Sequence, residues 1–167
     1  PLHQRFIPKP TQMRKILPLL LALLMLACNR AEHKSLSDPA YSMLERVAEL
    51  NAGGDKQGAL ALADSALLMH PADTTRCWLL SEKSVTLVDM GRMADAVGVA
   101  QGAYRLAEKL HDVDAMLNLR GTMGIAYRRL GKTDSALVQY KEGIQMALAK
   151  HNAEYEIYLN NCVTVLY

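Results

Sequence analysis

The chain has 167 residues, a net charge of +2 and an apolar content of 50%. That length supports one domain with a usable core. Ala, Leu and Met dominate, while Phe and Trp occur once each; this argues against a β-sandwich and for helices packed through small side chains. Basic residues concentrate before residue 35 and the remainder is close to neutral, so charge gives no indication of nucleic-acid binding.

Residues 1–12 precede the first methionine and read as an upstream extension, with Met13 as the true start. Arg14-Lys15 is a short positive region, and Ile16 to Ala27 is an apolar run of twelve interrupted only by Pro18. A charged start, a short apolar run and a small residue before the cut describe a secretory signal peptide over residues 13–27. The run is shorter than the roughly 20 residues a membrane-spanning helix needs. Met25-Leu26-Ala27-Cys28 resembles the end of a bacterial lipoprotein signal. The resemblance implies a lipidated thiol at Cys28 and attachment to the cell envelope, at the outer membrane or a periplasmic face. Residues 28–37 are polar and aperiodic after the cysteine and read as a tether.

Ser37-Asp38-Pro39 is a helix start, a capping side chain followed by proline. The first helix runs from Pro39 to about Ala52 on a spine of Tyr41, Leu44, Val47 and Leu50, and Gly53-Gly54 ends it. The second runs from about Asp55 to His70 and carries Ala59, Ala63 and Ala66, with Pro71 beyond. Asp73-Thr74-Thr75 is read as the cap of the third helix, which extends to Met90 and is broken by Gly91. Ala96, Ala100 and Ala103 set the register of the fourth, which ends near Leu110. The fifth and sixth are split by Gly131, with Thr133 as the expected cap, and a seventh begins near Ala153.

Three sets of positions keep one period. Gly54, Gly91 and Gly131 are 37 and 40 apart; Ala59, Ala96 and Ala136 take the same steps; Leu50, Leu87, Tyr127 and Tyr167 are 37, 40 and 40 apart. The best-kept copy lies between Arg120 and Gly143, where Met123-Gly124, Tyr127, Ala136 and Tyr140 follow the order W-x2-L-G-x2-Y then A-x3-F. Met123 and Tyr127 share a helix face four residues apart. Gly124 admits a close neighbouring helix, expected to lie in the next hairpin. On these residues, about 38–167 resembles the tetratricopeptide repeat (TPR) family. The resemblance implies an all-α solenoid of helix pairs, with repeats at about 40–73, 77–112 and 117–152 and a partial fourth at 157–167. With the lipoprotein signal, it also resembles the lipid-anchored TPR proteins of Bacteroidetes.

No catalytic constellation stands out. There is no phosphate loop, no Gly-x-Ser-x-Gly and no His-Glu-x-x-His, so no enzyme activity, metal, cofactor or small-molecule substrate is assigned. His70, His111 and His151 fall at ends of second helices, where the helix dipole favours cations. His111-Asp112-Val113-Asp114 reads as a linker with capping acids rather than a metal cluster. Cys77 and Cys162 each fall on a helix and read as small hydrophobes. In TPR domains the first helix of each repeat lines a concave groove. By helical offset, the residues facing it would be Tyr41, Asn51, Trp78, Ser81, Val85, Asp89, Asn118, Arg128, Arg129, Tyr158 and Asn161. Mixed aromatic, amide and charged groups suit an extended peptide or a partner helix. The expected function is non-enzymatic protein–protein interaction or scaffolding at the cell envelope. The alternative is the extracytoplasmic sensor portion of a signalling protein, with a histidine kinase or helix-turn-helix output beyond Tyr167.

Overall fold

The computed structural model describes residues 38–166. The expected extension, signal peptide, lipidation site at Cys28 and whole tether lie outside the described residues, as does Tyr167. Within them the chain forms seven α-helices: α1 (Pro39–Ala52), α2 (Lys56–Leu68), α3 (Asp73–Asp89), α4 (Met93–Leu110), α5 (Val113–Arg129), α6 (Thr133–Ala149) and α7 (Ala153–Thr164). None of the described helices is long and apolar enough to cross a membrane.

The helices pair as α1–α2, α3–α4 and α5–α6, each even-numbered helix packing on both its sequence neighbours. The odd-numbered helices also pack on one another, α1 on α3, α3 on α5 and α5 on α7. They therefore form one continuous face, and the even-numbered helices back it. No pair encloses its own apolar surface. Leu79 of α3 closes the cluster of α1 and α2, and Leu159 of α7 closes that of α5 and α6.

The turns repeat one device. Gly54, Gly91 and Gly131 have φ of 87°, 80° and 72°, the left-handed conformation that glycine adopts without strain. After α3, the N–H of Arg92 donates to the Leu87 carbonyl (2.8 Å) and that of Gly91 to Val88 (3.1 Å), the Schellman arrangement that satisfies the last carbonyls of a helix. Between hairpins a histidine takes the same place: His70, His111 and His151 have φ of 52°, 55° and 54°. Asp112 N–H donates to Ala107 and Asn152 N–H to Ala147 in the same pattern, at 3.0 and 2.9 Å. Backbone conformation, rather than the helix dipole, accounts for the histidine spacing.

Helix starts depart from the sequence reading. The N-cap of α3 is Ala72 and that of α6 is Lys132, neither with a side-chain cap, so Asp73 and Thr133 already lie in the first turn. Asp38 has a double role instead: its Oδ1 accepts from Ala40 N–H (3.0 Å) and its Oδ2 from Ala72 N–H (3.1 Å). It joins the start of α1 to the start of α3.

Packing follows the small-residue register. Ala59, Ala63, Ala66, Ala96, Ala100, Ala103 and Ala136 are all fully buried. Cys77 is buried among Ala100, Ala103 and Ala107, and burial, followed by the charge of Asp112, pushes its thiol up to about 11. It is a core residue, not a thiolate. Gly124 lies under the Tyr140 ring, where a Cβ would overlap the ring carbons. That contact is inside the α5–α6 hairpin, not between hairpins as the sequence suggested, because A-x3-F places Tyr140 opposite Gly124 across the Gly131 turn. The Tyr140 hydroxyl is buried without a hydrogen-bond partner among the described residues. Burial pushes it up to about 12, with Cys162 and Arg128 nearby.

Two outcomes test this packing. Gly124→Ala should cost about 1–3 kcal/mol by overpacking. Gly98→Ala, on α4 with nothing within 4 Å of the new Cβ, should stabilise by about 0.4–1 kcal/mol. Thermal melts showing equal shifts for the pair would refute the contact. Tyr140→Phe removes an unpaired buried hydroxyl, so urea denaturation should show unchanged or raised stability, by up to about 1 kcal/mol. A loss of that size would show that the hydroxyl is bonded in solution.

Candidate functional site

The odd-helix face holds a recess of about 370 Å³. α3 contributes Val85, Val88 and Asp89; α5 contributes Asn118, Thr122 and Ile125; α7 contributes Glu154, Tyr155 and Tyr158. Helical spacing places these side chains in stripes: 85, 88 and 89 share a face, as do 118, 122 and 125, and 154, 155 and 158.

Each wall has a distinct cause. Tyr158 lies across α5 at Gly121, where a Cβ would come within 3.0 Å of its ring. Tyr155 meets Tyr158 edge to face, with ring centroids 6.3 Å apart and planes at 84°, a favourable geometry for two aromatic quadrupoles. The floor is apolar, from Val85, Val88 and Ile125. Asn118 is fixed from below: its Oδ1 takes long contacts from Ser81 Oγ (3.4 Å) and Thr122 Oγ1 (3.5 Å). Burial raises the Tyr155 hydroxyl; the Asn118 amide partly offsets this, and the carboxylates of Asp114 and Glu154 add to it. Burial likewise raises Tyr158, followed by the neighbouring Cys162. Both phenols are neutral donors at ordinary pH. At the other end Asp89 is exposed and paired with Lys56 of α2 at 2.7 Å. Exposed pairs of this kind contribute little to stability.

Of the eleven groove residues expected from sequence, Val85, Asp89, Asn118 and Tyr158 line the recess. Ser81 is buried beneath it. The others are elsewhere. Asn51 is buried in the α1–α3 seam, its Nδ2 donating to Glu82 (2.9 Å) and its Oδ1 accepting from Thr86 (2.9 Å). Trp78 packs against the α3–α4–α5 core and donates its indole N–H to Asp112 at 3.0 Å. The second oxygen of Asp112 caps α5 through Ala115 N–H, so both oxygens of this acid serve structure. Arg129 donates to the Val88 carbonyl (2.9 Å), tying the ends of α5 and α3 together. Arg128 is half-buried near Tyr140. Tyr41 and Asn161 are exposed and do not line the recess. Offset counting alone ignores how the odd helices rotate against one another, which turns positions 51, 78 and 81 into the seams.

Val88, Thr122, Ile125, Glu154 and Tyr155 were not foreseen. One signal was present: a step of 40 residues from Val85 lands on Ile125.

Comparison with known families adds one finding. Residues 75–149 match the Tetratricopeptide repeat family model, a stretch that covers α4, α5 and α6 and nearly all of α3. No curated protein and no solved structure matches the chain. The matched segment, the three helical hairpins, the repeated left-handed turns and the alanine register agree: residues 75–149 are tetratricopeptide repeats, set in an all-α, solenoid-like stack.

Proposed function

We propose that the protein is a non-enzymatic interaction module of the bacterial cell envelope, holding a peptide or helix of a partner protein in the groove of its odd-numbered helices. One observation carries the reading: three successive odd helices converge on a single recess with an apolar floor and polar rim. That combination suits an anchoring side chain while backbone groups of the ligand pair with Asn118, Thr122 and the two tyrosines. The tetratricopeptide repeat family supports the coarser reading, protein interaction.

Affinity capture from envelope extracts tests it, with Ile125→Arg filling the recess and Arg105→Ala, an exposed change on α4, as control. Proteins retained by the unchanged chain and the control, but lost from Ile125→Arg, are expected. The same set on all three would sink the groove reading.

The envelope location rests on the Met13–Cys28 pattern. The Cys28→Ser chain should leave the membrane fraction for the soluble one on cell fractionation. Retention at the membrane would refute the lipid anchor. A second reading, the sensor portion of a longer signalling protein, has one observation in its favour. Ile157 of α7 is 62% exposed and Val165, its C-cap, 64%, apolar surface suited to a further packed helix.

A further inference from the structure

We infer that the recess selects a partner segment by a cationic side chain, lysine or arginine, set among apolar residues. The inference rests on the groove reading above and deepens it. None of the described residues lining the recess is basic, while Asp89 and Glu154 are acidic. The two ends differ. Asp89 is neutralised by Lys56, and Arg129 approaches the same end through its bond to Val88. At the α7 end, Glu154 and Asp114 both act on Tyr155. Lys150 shares the adjoining cleft with Asp112 and Asp114, so acidic groups still outnumber basic ones there. The N-termini of α5 and α7 add about half a positive charge each; two full carboxylates outweigh them. Tyr155 and Tyr158 supply ring surface beside these acids. A guanidinium or ammonium over an aromatic ring is attracted to its face, and a planar guanidinium also pairs with carboxylate in two bonds. An apolar stem fits the Val85 and Ile125 floor, because long cationic side chains bury their methylenes and keep the charged head at a polar rim. A glutamate in the same place would meet like charge.

Fluorescence polarisation with the full chain tests this. The probes are three pools of acetylated, amidated octapeptides of alanine and leucine, whose central residue is arginine, norleucine or glutamate. The arginine pool is expected to bind about tenfold tighter than the glutamate pool and about threefold tighter than norleucine. Glu154→Gln and Asp114→Asn, both exposed, should each lower the ratio of arginine-pool to norleucine-pool binding. Equal binding of the arginine and norleucine pools would overturn the cation preference, even if Ile125→Arg abolished both and so upheld the groove. Preference for arginine that survives the Glu154→Gln, Asp114→Asn double change would overturn it too. Binding of all pools untouched by Ile125→Arg would instead sink the groove itself.

Discussion

Everything in this fold depends on how closely helices approach at alanine and glycine. A buried alanine contributes much less transfer free energy than the roughly 1.5–3 kcal/mol of a large aliphatic side chain. Its value here is geometric: it brings backbones near enough for larger residues on neighbouring helices to interlock. The Tyr140 ring lies directly on the Gly124 backbone. Leu159 of α7 lies on Gly143 of α6, where a Cβ would come within 2.7 Å. The α5–α6 hairpin thus offers a shallow socket at Gly143, and Leu159 of the next helix supplies the plug. Cooperation between neighbours, rather than any self-sufficient pair, is what stabilises such a stack.

The same constraint makes the recess. Gly121 faces α7 and carries no side chain, so the Tyr158 ring can lie against α5. Tyr155, three residues earlier, is brought over Asn118. A larger residue at 121 would push α7 outward and remove the aromatic wall. The site is therefore a by-product of a packing step, placed where α7 packs on α5.

Much of this was legible in the chain. The 37- and 40-residue steps located the turns, and the alanines read as setting the even-helix register, such as Ala59, Ala96 and Ala136, proved buried. What stayed hidden has physical causes. Periodicity identifies which residues share a face but not which neighbour that face meets. Hence Gly124 was assigned to the wrong partner, and Asn51 and Trp78, polar or aromatic residues near the expected groove, turned out to tie the odd helices together. The histidines show the converse. Their spacing of 41 and 40 is visible in the sequence, but a left-handed residue other than glycine is uncommon, and histidine is among those that tolerate it better.

Arg120 shows how the family pattern can be departed from without loss of packing. It occupies the slot where the repeat prefers tryptophan. Its guanidinium sits over the Tyr104 ring at 4.7 Å, donates to the Tyr104 hydroxyl, and reaches Gln139 (3.2 Å) and Glu142 on α6. A single side chain on α5 thus bridges α4 and α6, two helices that otherwise meet only through α5. Such a bridge restrains the angle between successive hairpins on the even-helix side. That angle also sets how far α3, α5 and α7 open on the other side, so Arg120 bears on the width of the recess without touching it. Position-by-position comparison with the repeat pattern would record Arg120 as a mismatch; its hydrogen bonds make it a functional replacement for the missing ring.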